Sequence, residues 1–333
     1  KNPHDRRPIA STTKIMTALL TLEAASRYDR PVQVTPEMVR VEGSSMGLKA
    51  GERLTLTALA EGMLLTSGND AANTAAIAVG GSIPSFTLLM NRKAEQLGLK
   101  DTHYVTPSGL DDERHYSSAY DLAMLTAAAM KNPAFSRIVS RRKMQVRFLE
   151  PACTVTFQNH NKLLGMYSGC VGVKTGFTKK SGRCLVSAAE RGGVALIAVT
   201  LSDPDDWKDH QKLLDYGFSK VSAVCFDDSG YEAALPVVGG TSGKVTVIGS
   251  NAGTALLSAE EAQGLRRTVE LPHFAYAPVA KGQVLGRIRY SNGGKTVAVT
   301  ELSATGAVGG PEDGKNIFQK FWDRIHFLFP ARG

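Results

Sequence analysis

Three short polar motifs interrupt apolar runs in one order along the chain: Ser11-Thr12-Thr13-Lys14, Ser67-Gly68-Asn69 and Lys174-Thr175-Gly176. Their surroundings carry the spacing of core elements, so any fold must bury the neighbours and still leave these polar groups usable. Ile15, Leu19 and Leu22 recur at helical spacing after Ser11, which predicts a buried helix with Ser11 at its N-terminus. A second helix is predicted over 56–65, with Leu56, Leu59 and Met63 on one face. Ser67-Gly68-Asn69 then falls in a connection before the helical pattern resumes over 70–79. Further helices are predicted over 83–97 and 119–131, and strands over 169–176, 184–189 and 194–201, so the third motif ends a strand.

The residue types in the motifs suit acyl transfer. Residues three apart on a helix share a face, so Lys14 Nζ can reach Ser11 Oγ and act as its base. A lysine is a useful base only when its pKa falls toward neutrality, which burial and a second cation such as Lys174 both favour. Ser67 can relay a proton to a departing amine, and the Asn69 carboxamide can donate to a substrate carbonyl while accepting from a lysine. Lys174 and Thr175 offer a cation and a hydroxyl to a carboxylate, while Gly176 leaves room for substrate backbone along the strand edge. A phosphate-loop reading fails, because Val173 separates Gly172 from Lys174.

With 333 residues and 43% hydrophobic content, the chain can bury two cores. The formal charge of +8 comes from scattered Lys and Arg, which argues for a solvated basic surface and against nucleic acid. Such a surface suits work beside anionic lipid and acidic wall polymer. Cys153, Cys170, Cys184 and Cys225 show no metal-binding spacing, so no metal or other cofactor is expected and the thiols read as structural. The chain opens on Lys1 without an initiator Met or a secretory apolar core, as a processed, trimmed or incomplete start would.

After Leu213-Leu214-Asp215-Tyr216-Gly217-Phe218 the pattern changes to short β-rich runs over 231–238, 244–248, 267–271, 284–290 and 296–300. Turn residues between them predict a small all-β sandwich, read as a pedestal. The expected organisation is therefore a catalytic domain over 1–218, a β domain over 219–304, and a Gly-rich linker with a tail over 305–333. In the tail, Ile317, Phe318, Phe321, Trp322, Ile325, Leu328 and Phe329 gather on one helical face, opposite Lys320, Asp323 and Arg324. That pattern over 316–329 predicts an interfacial membrane anchor.

The motifs and their flanks resemble the low-molecular-mass penicillin-binding proteins of the serine-type D-alanyl-D-alanine carboxypeptidase family. The resemblance extends to Ile9-Ala10 before the first motif, Asp70-Ala71-Ala72 after the second, Phe177-Thr178 after the third, Pro107-Ser108-Gly109-Leu110 and Asn159-His160-Asn161-Lys162-Leu163-Leu164. It implies an α+β transpeptidase domain, an antiparallel sheet with helices, followed by the β domain and amphipathic tail. It implies Ser11 as nucleophile, Lys14 as base, Ser67 and Asn69 as their partners, and Lys174 with Thr175 as carboxylate binders along the strand edge of Gly176. The backbone N–H groups of Ser11 and Phe177 would form the oxyanion hole. The substrate would be the terminal D-Ala-D-Ala bond of peptidoglycan stem pentapeptides, with β-lactams acylating the same serine at the outer face of the bacterial cytoplasmic membrane. Relatives usually carry a strand or hairpin well ahead of the first motif, so the sheet is expected to lack an N-terminal strand. Many also carry an arginine shortly before the Leu-Leu-x-Tyr-Gly-Phe stretch. Here that region reads Asp205-Asp206-Trp207-Lys208-Asp209-His210, which resembles a sporulation-associated branch.

Other readings stay open at this level. A cross-link endopeptidase would use the same residues on a different leaving amine. A non-catalytic wall-binding or β-lactam-binding homologue would leave the joint presence of Lys14, Ser67 and Lys174 unexplained. A β-lactamase is disfavoured, since no Glu-x-x-Leu-Asn segment lies between the second and third motifs.

Overall fold

The computed structural model describes residues 1–310; the amphipathic tail expected over 316–329 lies outside the described residues. The chain divides into two compact units, Lys1–Ser219 and the part from Lys220 onward.

In the first unit a helical cluster packs on an antiparallel sheet. The helix Lys14–Arg27 buries Ile15, Met16, Ala18, Leu19 and Leu22, as its spacing predicts. Leu56–Leu65 begins where Thr55 Oγ1 accepts the Ala58 N–H, and Leu59, Met63 and Leu65 are fully buried. Asn69–Gly80, Ile83–Gln96 and Ala119–Met130 complete the cluster around these two. Ser82 and Ser118 cap the last two, each accepting from a backbone N–H three residues on.

The sheet has three strands in the order Cys170–Thr178, Gly182–Arg191, Val194–Leu201, all antiparallel. Val173, Val186 and Ala188 face the helical cluster. Leu185 and Ala189 face the other way, against Leu214 of the helix Asp206–Lys220. Among the described residues Val194–Leu201 is an edge strand, paired only with Gly182–Arg191.

Two local expectations need correction. Ser11 does not lie in the α-helix: Ala10–Thr13 forms a 3₁₀ turn and the α-helix starts at Lys14. The third motif lies inside its strand rather than at its end, since pairing continues through Thr178.

The second unit is all-β. A six-stranded sheet runs Arg266–Glu270, Val284–Asn292, Lys295–Ala304, Lys244–Gly249, Glu232–Val238, Ala275–Tyr276, and a separate ribbon pairs Val221–Asp227 with Asn251–Ser258. Leu235, Val247, Ile288, Leu302 and Val308 form its core. Val308 corrects the expected linker. It is buried and exchanges backbone hydrogen bonds with Val279 at 2.8 and 2.9 Å, so the Gly-rich stretch begins as part of the β unit. The four cysteines are free thiols: Cys184 is buried and Cys170 half-buried, whereas Cys153 and Cys225 are exposed, against the expectation of structural roles for all four.

Candidate active site

The three motifs converge in the first unit. The strand carrying Lys174-Thr175-Gly176 runs against the turn carrying Ser11 so closely that a methyl group on Gly176 would stand 3.1 Å from Ile9 O, Ser11 N and Thr12 N. A side chain there would have to push the turn back by a few tenths of an ångström. Behind Ser11 the turn is held by Thr12 and Thr13 hydroxyls donating to Ile9 O and Ala10 O at 2.6 and 2.8 Å. Ala10 has φ +46°, a left-handed conformation that costs a non-glycine residue of order 1 kcal/mol or more and persists where the surroundings impose it. Gly109 is part of that imposition, because a side chain there would drive into the Ala10 carbonyl.

Lys14 is fully buried, and its Nζ lies 2.9 Å from Ser11 Oγ, 2.6 Å from Asn69 Oδ1 and 2.7 Å from Ser108 O. Burial and the nearby Lys174 hold its pKa well below the ordinary lysine value, with Asp70 opposing weakly. A neutral amine has two N–H groups and one lone pair. When Lys14 is neutral, the two carbonyl oxygens take its N–H groups and its lone pair faces the Ser11 hydroxyl.

Ser67 bridges to the second lysine. Its φ of +60° turns the chain sharply before the Asn69–Gly80 helix, and its Oγ accepts from Lys174 Nζ at 3.0 Å. Lys174 is 1% exposed, also donates to Thr175 O at 2.8 Å, and burial lowers its pKa to about 7. Asn69 is held from both sides: its Nδ2 donates to Glu42 O at 2.6 Å and its backbone N–H to Ser44 O at 2.7 Å. Asp70 turns away from the lysines. Its carboxylate accepts from the backbone N–H groups of Met46, Gly47 and Leu48 and from Ser45 Oγ, fixing the loop that carries Ser44.

Ser11, Ser67, Thr175 and Phe177 line one cleft of about 290 Å³ together with His160 and Arg183. Phe177, two-thirds exposed at 66%, forms its open rim. Every residue singled out in the motifs is therefore at or directly beneath this cleft. Sequence reasoning passed over other contributors. Ser108 and His160 lay in stretches noticed only for their resemblance, and Arg183 carried no signal. His115 is a further one: its Nδ1 accepts from Val105 and Thr106 N–H at 3.1 and 3.3 Å, so Nε2–H donates to Thr13 Oγ1 at 2.8 Å. It ties the Ala10–Thr13 turn to the loop that supplies Ser108 O. Among the described residues no cluster of three or more His, Cys, Asp or Glu side chains could hold a metal ion.

Residues 1–205 match the family described as D-alanyl-D-alanine carboxypeptidase, and residues 226–309 match the C-terminal domain of penicillin-binding protein 5. Among individual relatives, D-alanyl-D-alanine carboxypeptidase DacF of Bacillus subtilis is 30% identical over 91% of this chain and 80% of its own length. The DacB2 carboxypeptidase of Mycobacterium tuberculosis is 36% identical over 64% of this chain and 74% of its own. The crystal structure of penicillin-binding protein 5 from Haemophilus influenzae superposes with a TM-score of 0.66 at 28% identity, covering 93% of this chain and 92% of that one. Two buried lysines, one hydrogen-bonded to Ser11 and the other to Ser67, inside a domain matched over residues 1–205, lead to one conclusion: the chain belongs to the D-alanyl-D-alanine carboxypeptidase family.

Proposed function

We propose that Ser11 carries the acyl group in this enzyme, a serine-type D-Ala-D-Ala carboxypeptidase. The observation that supports this most is the buried Lys14 amine, its pKa held well below the ordinary lysine value, 2.9 Å from Ser11 Oγ and hydrogen-bonded to two carbonyl oxygens. Ser11 Oγ attacks the carbonyl carbon of the penultimate D-alanine as Lys14 takes its proton. The resulting oxyanion is received by the backbone N–H groups of Ser11 and Phe177. The C–N bond then breaks, and the leaving amine takes, through the Ser67 hydroxyl that Lys174 holds at 3.0 Å, the proton that Lys14 removed from Ser11, which leaves Lys14 neutral again. Water, deprotonated by Lys14, hydrolyses the ester and restores Ser11. A β-lactam enters by the same attack, and its amine stays tethered to the acyl group.

The reading places the substrate in peptidoglycan stem peptides, outside the cytoplasmic membrane. Among the described residues no single helix is long and apolar enough to cross a membrane. The amphipathic pattern over 316–329 supports a peripheral anchor instead, on sequence alone. Flotation with anionic vesicles should be lost when Phe321 and Trp322 become Ser; flotation unchanged by both substitutions removes the anchor.

The catalytic reading is tested by D-alanine release from a soluble acyl-Lys-D-Ala-D-Ala peptide. Release should vanish in Ser11→Ala, and a penicillin adduct on the wild-type chain should map to Ser11. Release that survives Ser11→Ala, or an adduct on another residue, refutes the assignment.

A further inference from the structure

One wall of the cleft is not built by the three motifs. It contains Arg183 and Trp207, which border the same space as Ser11 and Thr175. In the strand register Arg183 stands opposite Phe177, and Thr175 lies two residues along from Phe177 on the same strand. Paired residues and residues two apart share a face of a sheet, so Thr175 and Arg183 project from the same face as diagonal neighbours.

The guanidinium is held in place. Arg183 Nη2 donates to Asp206 Oδ1 at 2.8 Å, and that same oxygen accepts the Trp207 N–H at 2.8 Å. The Trp207 ring lies 5.6 Å from the guanidinium carbon. Asp206 is buried, yet 41% of the Arg183 side chain remains exposed. Arg183 Nε–H is shielded and meets no protein acceptor. The wall therefore carries an oriented cation with donors left over.

The substrate ends in a carboxylate, one residue beyond the carbonyl that Ser11 attacks. Lys174 is poorly suited to receive it directly, being sealed from the cleft at 1% exposure with N–H groups committed to Ser67 Oγ and Thr175 O. Its pKa of about 7 also leaves its charge incomplete at neutral pH. Arginine stays charged throughout and presents a planar set of donors that matches a carboxylate. We propose that Arg183, fixed by Asp206 and Trp207, receives the free C-terminal carboxylate of the substrate together with the Thr175 hydroxyl, and so sets the preference for an unblocked C-terminus.

This inference rests on the Ser11-centred reading of the cleft, and the test separates the two. kcat/KM is measured for acyl-Lys-D-Ala-D-Ala and for its C-terminal amide, in wild type, Arg183→Lys and Arg183→Ala. Because Arg183→Ala alone strands a buried Asp206 charge, the double variant Arg183→Ala with Asp206→Asn is run beside it, and thermal melts confirm folding. The free-acid reaction should fall about 10- to 100-fold in Arg183→Ala, chiefly through KM, as expected for one charge-assisted hydrogen bond to an ion. The acid-to-amide preference should collapse toward one in the double variant, with Arg183→Lys in between. Equal losses on acid and amide, leaving the preference intact, would overturn the proposal. Wild type releasing D-alanine no faster than Ser11→Ala would overturn the catalytic reading itself, and the proposal with it.

Discussion

Asn69→Asp tests whether Lys14 works as a neutral base. The substitution is nearly isosteric, but it places a carboxylate oxygen where Asn69 Oδ1 now accepts from Lys14 Nζ at 2.6 Å. With an effective dielectric constant of about 20, opposite unit charges at that separation attract by about 6 kcal/mol. At 1.36 kcal/mol per decade this favours the protonated amine by a factor of about 10⁴. Lys14 would then hold its proton through neutral pH, and its lone pair would no longer be available to Ser11.

The assay is the second-order rate of acylation by a fluorescent penicillin, followed before steady state from about pH 6 to pH 10. Near pH 7 the Asn69→Asp rate should fall by up to about 10⁴-fold and then climb about tenfold per pH unit as the amine is deprotonated. Asn69→Ala is the control. It removes one hydrogen bond to Lys14 without adding charge, so its rate should drop by about 10-fold while the pH profile keeps the wild-type shape. An Asn69→Asp profile that superposes on the alanine profile would refute the argument, because a fixed charge beside the proton acceptor must move its titration.

Two further substitutions probe what surrounds the lysines. In Gly176→Ala the new methyl must displace the backbone of Ile9, Ser11 and Thr12 by a few tenths of an ångström, so the chain should fold while acylation slows about 10- to 100-fold through the displaced Ser11 N–H; an unchanged rate in a folded variant counts against Ser11 N–H as an oxyanion donor. His115 and His210 are buried, and burial lowers each pKa from 6.5 to about 4, so the fold holds both neutral while the unfolded chain binds protons below about 6.5. Stability is therefore complete above that pH and is lost as pH falls toward 4, by up to about 3 kcal/mol for each histidine. Urea unfolding at pH 7 and at pH 4.5 should show a smaller acid loss in His210→Gln than in wild type, since Ser187 and Thr200 lose the group that must charge; equal losses would show that His210 contributes nothing to the acid limb.

How much of this was legible in the sequence depended on what fixed each feature. The meeting of Ser11, Lys14, Ser67, Asn69 and Lys174 in one place could be read because serine acyl transfer needs particular side chains at particular spacings. Leu56–Leu65 could be read because its periodicity, Thr55 cap and burial all agree. Features imposed from a distance could not. The Ala10–Thr13 turn depends on Gly109 and His115 pressing from another segment, and nothing local distinguishes it from the first turn of an α-helix. The hairpin Lys143–Phe148 with Cys153–Gln158 was missed although both strands alternate polar and apolar residues; the second is almost wholly exposed, so its alternation marks no buried face. Arg183 enters the cleft only through the strand register that sets it opposite Phe177, a pairing invisible before the sheet is known.

The site also explains why its lysines sit among neutral acceptors. Asn69 Oδ1, Ser108 O, Ser67 Oγ and Thr175 O take the hydrogens of Lys14 and Lys174, and none carries a formal charge. A carboxylate in any of these positions would bind as well or better, but it would stabilise the ammonium form and remove the base. The nearby carboxylates are engaged elsewhere, Asp70 by the backbone of Met46, Gly47 and Leu48, and Asp206 by Arg183 and Trp207. Each of those engagements shapes the cleft while keeping negative charge off the amine. The burial of two lysines is thus what lowers both pKa values, and relieving it with an ion pair would raise them again in exchange for stability.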